Sequence, residues 1–267
     1  MIIVFTVCDI SYYNQFDTFA KSYIINENNK DKVKYVHFFI YKDKNDRKII
    51  NSKINKTFEK FINFKFIKYK NKNISFRLFC CHFRFEAFKI LFEEDNNNNN
   101  IIIYSDVDAY INNSLYNKID LLNDNAYFFL RDNKYFDNHV NTNNIELSKI
   151  KSNVNKRGVT YFLSGVIILK VNSKGNRILK RLISFYNKQN PIKWYSDQLV
   201  LDNFFWWAGN KKSLKICILD RYYFDLNLKE ENGLFLCKGN EFPLSRTEWK
   251  NLVKNINIKF NQKFIND

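Results

Sequence analysis

The stretch that decides the fold is Ile101-Ile102-Ile103-Tyr104-Ser105-Asp106-Val107-Asp108, in which a strand of apolar character ends in two carboxylates separated by one residue. A strand that is apolar along almost its whole length is typical of a parallel sheet covered on both faces. In such sheets, ligands bind beyond the carboxyl ends of the strands. The stretch therefore predicts an α/β fold with an acidic pair at its ligand crevice.

Apolar segments of strand length alternate with segments of helical period on both sides of this stretch. We predict strands at residues 2–8, 33–40, 101–105, 126–130 and 164–171, and helices at residues 12–25, 47–64, 75–94, 174–188 and 196–206. This alternation predicts a Rossmann-like domain over residues 1–246, with a mainly parallel central sheet and helices on both faces. Residues 247–267 are predicted to form a basic amphipathic C-terminal tail, which packs on its own domain or lies on an anionic membrane.

The composition is that of a globular protein with a strong positive charge. Hydrophobic residues make up 45% of the 267, which is enough for a packed core. Lys and Arg number 43 against 27 Asp and Glu, so the net charge of +16 attracts phosphate, anionic lipid or nucleic acid. A nucleic-acid-binding protein is therefore one alternative, although no recognition helix, zinc module or RNP-like motif supports it.

The cysteines and the apolar runs bear on the cellular compartment. Five cysteines, an odd number without a CxxC pair, indicate neither a zinc site nor a complete disulfide framework, and favour a reducing compartment. No apolar run reaches the roughly 18 residues that a membrane span needs. We therefore expect a cytoplasmic protein, with peripheral membrane contact through the C-terminal tail as a further possibility.

The acidic pair has a specific chemistry. Carboxylate oxygens are hard ligands that suit Mg²⁺ or Mn²⁺, and an ion held by Asp106 and Asp108 can complete its shell with diphosphate oxygens and water. Asp is also common where strands end, so a purely structural role in the loop is the simplest alternative. A third interpretation is a haloacid-dehalogenase-like phosphatase with Asp106 as its nucleophile, but in that family the motif usually follows the first strand.

Several segments form a pattern in chain order: residues 3–12 (IVFTVCDISY), the helix that carries Arg84, residues 104–108 (YSDVD), residues 162–168 (FLSGVII) and residues 197–202 (DQLVLD). This pattern resembles that of the retaining GT-A glycosyltransferases. The resemblance is closest to family 8, which includes bacterial lipopolysaccharide galactosyl- and glucosyltransferases and glycogenin. The family 6 enzymes, which also use Asp-Val-Asp, are near neighbours.

The resemblance implies a hexosyltransferase that uses a nucleotide-sugar donor, with a UDP-sugar favoured, and a glycan, lipid-linked or protein acceptor. It implies retention of anomeric configuration and Mn²⁺ or Mg²⁺ bound by Asp106 and Asp108. Gln198, Asp197 and Asp132 are the catalytic candidates that it suggests, although Gln198 is equally compatible with a position at a helix start and no catalytic part. The implied nucleotide-sugar contacts are Thr6, Val7, Tyr12, Arg84, Ser105, Asp106, Val107, Ser164, Gly165 and Lys238.

The sequence departs from the family pattern near its C-terminus. Family members carry an HxxGxxKPW motif, whose histidine completes the metal shell and whose lysine meets the diphosphate. The nearest segment here is residues 236–244 (LCKGNEFPL), with Leu236 at the histidine position. Asp225, Glu241 or water is left as the third ligand, and Lys238 as a substitute for the lysine. An inactive donor-binding relative is therefore also an alternative.

Overall fold

The structure, a computed structural model, describes residues 1–70, 73–95, 99–116, 123–130, 162–190, 192–193, 196–208, 212–219, 235–237 and 246–264. The chain divides into two compact units. Unit 1 comprises residues 1–70, 105–122 and 222–267, and unit 2 comprises residues 71–104 and 123–221.

Nine strands and eight α-helices occur in the described residues. In chain order they are β1 (Ile2–Asp9), α1 (Tyr13–Asn26), β2 (Val33–Tyr41), α2 (Lys44–Lys53), α3 (Lys56–Glu59), β3 (Ile62–Lys68), α4 (Phe76–His82), α5 (Arg84–Glu94), β4 (Ile101–Ser105), β5 (Ala109–Ile111), β6 (Ala126–Leu130), β7 (Phe162–Lys170), α6 (Ser173–Asn187), α7 (Ser196–Ala208), β8 (Ile216–Leu219), β9 (Phe235–Cys237) and α8 (Arg246–Phe264). Short 3-10 turns lie at Ile10–Tyr12 and Lys212–Leu214.

Seven of these strands belong to a mainly parallel central sheet, which confirms the predicted fold class. In unit 1 the order is β3-β2-β1, and both pairs are parallel. In unit 2 the order is β4-β7-β6-β8, where β6 runs antiparallel to β7 and parallel to β8. All eight residues of β1 are buried, as is typical of a parallel strand.

Two predicted helices are wrong in extent. Residues 47–64, predicted as one helix, contain the end of α2, then α3 and the first residues of β3. The side chain of Asn55 accepts a hydrogen bond from the Thr57 amide and starts a new helix, while the alternation of Ile62, Phe64 and Phe66 with polar residues forms a strand. Residues 75–94 form two helices, α4 and α5, which meet at Phe83.

The C-terminal helix α8 packs its apolar side inside unit 1. Trp249 and Ile256 join Tyr110 of β5 in one buried cluster, and the Phe260 ring lies 5.8 Å from the Phe58 ring. Lys21 of α1 donates a hydrogen bond to the side-chain oxygen of Asn257. The apolar stripe predicted from the sequence therefore covers α1 and β5. Within the described residues, no helix combines the length and apolar character that a membrane crossing requires.

The start of α6 depends on a glycine. The side chain of Asn172 caps this helix by accepting a hydrogen bond of 2.8 Å from the Gly175 amide. This geometry brings the Lys170 carbonyl so close that a Cβ atom on residue 175 would lie 1.8 Å from its oxygen. Because the contact is with backbone, no side-chain rotation can relieve it.

We therefore expect Gly175→Ala to lower the free energy of unfolding by about 2 kcal/mol, since the start of α6 must shift away from β7. Urea unfolding followed by circular dichroism measures this. The matched control is Lys174→Ala at the exposed neighbouring position, which should stay within about 0.5 kcal/mol of the wild type. Equal stability of the two variants would contradict the proposed close packing.

Candidate functional site

The acidic pair lies where β4 ends, in a short turn of unit 1. Ser105 is fully buried, and its hydroxyl donates a hydrogen bond of 3.1 Å to the Asp106 carbonyl. The Ala109 amide donates to the same carbonyl and closes the turn. Val107 is buried, whereas Asp106 and Asp108 are half-buried. The turn therefore anchors its middle residue in the core and leaves carboxylates on both sides of it accessible to a ligand.

The donor set suits a hard divalent cation that also binds its substrate. Two carboxylates supply oxygen ligands of the kind that Mg²⁺ and Mn²⁺ prefer. Within the described part of the chain, no group of three or more His, Cys, Asp or Glu side chains is placed to hold a metal ion. Asp106 and Asp108 fit an ion whose remaining ligands are phosphate oxygens and water. Asp225 and Glu241, the alternative third ligands, lie outside the described residues.

The predicted nucleotide contacts Thr6 and Val7 lie in β1, and Tyr12 lies in the 3-10 turn that follows this strand. The Thr6 hydroxyl is completely buried and forms hydrogen bonds with the Tyr35 hydroxyl at 2.7 Å and with His37 Nδ1 at 2.6 Å. Burial holds the pKa of His37 well below its usual value, so the imidazole is neutral. Thr6 is completely buried, backbone included, and Val7 is nearly so, which leaves both residues beneath the surface at this end of the sheet.

Tyr12 differs from these two residues because it is 37% exposed, at the end of the 3-10 turn. The turn is started by Asp9, whose carboxylate accepts hydrogen bonds from the amide and the hydroxyl of Ser11. The sequence comparison did not single out Asp9. Its position at the last residue of β1 is the signal that identifies it, since polar residues at such ends line ligand crevices.

Arg84 is the centre of a buried polar cluster in unit 2. One of its terminal nitrogens lies 3.2 Å from an Asp197 carboxylate oxygen and donates a hydrogen bond of 2.6 Å to the Ser164 carbonyl. Its Nε donates to the Cys81 carbonyl at 3.0 Å. The guanidinium lies over the Tyr104 ring, 4.6 Å from its centroid. One side chain thus joins the α4–α5 segment to the ends of β4, β7 and α7.

Asp197 and Gln198 lie in the first turn of α7, as the sequence predicted. The second oxygen of Asp197 accepts a hydrogen bond of 2.9 Å from the Gln198 amide, which fixes the start of the helix. Gln198 itself is half-buried, whereas Asp197 is almost completely buried. Ser164 and Gly165 are buried in β7, and only the Ser164 carbonyl has a described contact with Arg84.

His82 belongs to this cluster, although no role was predicted for it from the sequence. Its Nε2 lies 2.9 Å from the Lys193 carbonyl, in the segment that leads into α7. Burial lowers the pKa of His82, and the nearby Asp197 carboxylate only partly opposes that effect. A neutral His82 that donates to Lys193 therefore helps to position the start of α7. The signal available in the sequence was its place two residues before Arg84.

Asp132 and Lys238, the remaining predicted site residues, lie outside the described residues. So does the polar stretch 133–158 that separates β6 from β7. Their assignment rests on the sequence resemblance alone.

Solved structures of glycosyltransferases share this fold, whereas no protein-family model and no curated protein sequence matches the chain. The glycosyltransferase GlyE of Streptococcus pneumoniae TIGR4 is similar with a TM-score of 0.58 and 15% identity, over 99% of this chain and 63% of GlyE. The galactosyltransferase LgtC, in complex with donor and acceptor sugar analogs, is similar with a TM-score of 0.57 and 16% identity, over 98% of this chain and 96% of LgtC. The bifunctional glycosyltransferase WbbM is similar with a TM-score of 0.57 and 11% identity, over 98% of this chain and 51% of WbbM.

The TM-scores of 0.57–0.58 establish a common fold, and with identities of 11–16% the similarity shows the fold alone. The chain therefore has the GT-A fold found in glycosyltransferases, and the resemblance inferred from residues 3–202 is confirmed at the level of the fold. It spans less than two thirds of GlyE and almost the whole of LgtC.

The Arg84–Asp197 ion pair should show strong coupling, because each charge is about 7% exposed and depends on the other. Arg84→Met or Asp197→Leu alone should lower the free energy of unfolding by about 3–5 kcal/mol, since each leaves a buried charge unpaired. The free energy of unfolding of the double variant should fall by much less than the sum of the two single losses. Chemical denaturation of the wild type, the two single variants and the double variant measures this difference. Additive losses would show that the two side chains act independently.

Proposed function

We propose that this chain is a metal-dependent glycosyltransferase that transfers a hexose from a nucleotide-sugar donor, with a UDP-sugar favoured. The observation that carries the proposal is the half-buried acidic pair at the end of β4, in a fold shared with glycosyltransferases. LgtC has been solved with donor and acceptor sugar analogs. The acceptor proposed here is a glycan, a lipid-linked glycan or a protein.

In this proposal, Asp106 and Asp108 hold Mn²⁺ or Mg²⁺ together with the donor diphosphate. The ion supplies neutralisation of the charge that develops on the departing nucleoside diphosphate. Ser105 and Val107 contribute by fixing the turn that presents the two carboxylates. The exposed Tyr12 side chain is proposed to stack on the nucleotide base, with Thr6 and Val7 as the buried part of β1 that supports the same subsite.

The residues of the Arg84 cluster are proposed to serve the sugar of the donor. Arg84 orients Asp197, which in turn holds the amide of Gln198 at the start of α7. Ser164 and Gly165 line the sugar with small side chains, while Asp132 contacts its hydroxyls and Lys238 the diphosphate. Arg84, Asp197 and the start of α7 at Gln198 are held in place by these contacts before a substrate binds. Polar groups that are fixed in advance are the condition for electrostatic stabilisation of a transition state.

Retention of configuration is part of the proposal. In a retaining transfer, the departing phosphate and the incoming hydroxyl share one face of the sugar, so a polar side chain on the opposite face can stabilise the developing positive charge. Gln198 is the residue that we propose for this task. An active-site glutamine has been replaced by glutamate in another solved form of LgtC, which supports a glutamine in such a position.

Changing Asp106 tests the function directly. Asp106→Asn should reduce Mn²⁺-dependent consumption of UDP-sugars by about 100-fold or more, because the amide is a poorer ligand for a hard cation. The matched control is Asp31→Asn, an exposed carboxylate outside the site, which should retain activity. A first screen of UDP-, GDP-, CMP- and dTDP-sugars by thermal shift, with and without Mn²⁺, selects the donor, since a bound ligand raises stability.

Equal activity of Asp106→Asn and wild type, or the absence of binding to every donor, would contradict the proposal. The same preparation separates the phosphatase alternative, which predicts beryllium fluoride trapped on Asp106. Binding to duplex or single strands with a strong inverse dependence on salt would instead favour the nucleic-acid alternative.

Peripheral membrane contact through α8 is a further part of the proposal. The packing of this helix determines which of its side chains could meet a membrane. Its apolar side covers α1 and β5, so contact would come from the outward lysines Lys250, Lys254 and Lys259, all exposed. Attraction of this kind is electrostatic and requires anionic lipid.

Replacing Lys250, Lys254 and Lys259 by Ser should abolish flotation with vesicles that contain phosphatidylserine, without unfolding unit 1. The control replaces the exposed lysines Lys44, Lys48 and Lys56 by Ser, which removes the same charge elsewhere in unit 1. Equal flotation of the two variants, or none by the wild type, would exclude docking through α8.

A further inference from the structure

The backbone that follows the acidic pair is held by polar side chains from the end of α1. The Ile111 amide donates a hydrogen bond of 2.9 Å to the Ser22 hydroxyl, and the Ile111 carbonyl accepts one of 2.6 Å from Asn26. Both backbone groups of the last β5 residue are therefore bound to one helix. Asp108 directly precedes β5, so this attachment begins three residues after the second carboxylate.

Glu27 extends the attachment to residues 114 and 115. It is completely buried, and one carboxylate oxygen accepts hydrogen bonds from the Ser114 hydroxyl at 2.7 Å and the Asn29 amide at 2.8 Å. The other oxygen accepts from the Leu115 amide at 2.6 Å. Charge-assisted bonds of this kind are among the stronger hydrogen bonds in proteins.

Ser22, Asn26, Glu27 and Asn29 together are called the α1 clamp. Asn29 completes it with a hydrogen bond of 3.3 Å from its side-chain amide to the Ser114 hydroxyl. The α1 clamp forms hydrogen bonds with residues 111, 114 and 115, and β5 is also paired with β9. Burying the Glu27 carboxylate costs free energy unless hydrogen-bond donors surround it. Because three of these donors belong to residues 114, 115 and 29, movement of residues 114 and 115 would leave the carboxylate unsatisfied.

We propose that the α1 clamp, and Glu27 in particular, positions Asp106 and Asp108 for metal binding. Glu27 is a positioning residue, because its contacts are with the backbone that follows the pair and with Ser114. The proposal rests on the proposed function for the identity of the ligand. Side chains that orient metal ligands from behind commonly change metal affinity by about 10- to 100-fold when they are replaced.

Glu27→Gln is the variant that tests this role. The amide keeps the shape of Glu27 but turns one acceptor into a donor, which faces the Leu115 amide or the donors Ser114 and Asn29. We expect faster amide hydrogen exchange at Ile111 and Leu115, and an affinity for Mn²⁺ reduced by about 10- to 100-fold. Electron paramagnetic resonance with Mn²⁺ alone and with Mn²⁺ and UDP measures the affinity.

The matched control is Asp17→Asn on the same helix, where the carboxylate pairs with Lys21 near the surface. It should change neither exchange at residues 111–115 nor Mn²⁺ affinity. Should Glu27→Gln fail to fold, Ser114→Ala removes a single donor to Glu27 and should produce a smaller change in the same two measurements. Its folded state is checked by circular dichroism.

Faster exchange with unchanged Mn²⁺ affinity would overturn the positioning role, because the loop would have loosened without effect on the pair. Unchanged exchange would overturn the clamp itself. A wild-type chain that binds no Mn²⁺ in either condition would defeat the proposed function and the metal part of the inference. The exchange rates would then still decide whether the α1 clamp holds residues 111–115.

Discussion

The buried ion pair between Arg84 and Asp197 is the interaction on which unit 2 depends most. Two charges removed from water are stable only when hydrogen bonds satisfy the groups that their pairing leaves open. Arg84 meets this condition through the carbonyls of Cys81 and Ser164, and Asp197 through the amide of Gln198. The electrostatic requirement therefore fixes the register of three elements at once, and the start of α7 follows from it.

In unit 1, the backbone around the acidic pair is held by buried contacts and hydrogen bonds. In the proposed function Asp106 and Asp108 bind a metal ion and the donor, so the backbone that carries them has to be held in place. Val107 and Ile111 are buried, and Ser22, Asn26 and Glu27 bind the backbone and side chains beyond Asp108. Tyr110 adds packing against α8, which gives the C-terminal helix a part in the same support. Rigid support combined with accessible carboxylates is what metal-assisted transfer requires.

The motifs of the site were predictable because they are local. Short patterns predict the strand that ends at Ser105, the arginine in α5 and the Asp197-Gln198 pair at the start of α7. Glu27 was not predictable, since its partners Ser114 and Leu115 lie 87 and 88 residues away and a single Glu at a helix end has no distinctive pattern. β3 was missed because Ile54, Phe58, Phe61 and Ile62 fit a helical period, whereas the helix that Asn55 starts ends at Glu59 and Ile62 begins the strand. Tertiary contacts, which the sequence does not display, decide both cases.

Asp106 and Asp108 are proposed to hold a divalent ion together with a nucleoside diphosphate. Crystals of the chain grown with UDP and Mn²⁺, with diffraction collected on both sides of the manganese absorption edge, would show whether they do. We expect one anomalous peak about 2.1–2.3 Å from carboxylate oxygens of both residues and from diphosphate oxygens, in the range usual for divalent ions with oxygen ligands. A diphosphate bound with no manganese peak at these carboxylates, or a peak held by other residues, would contradict it.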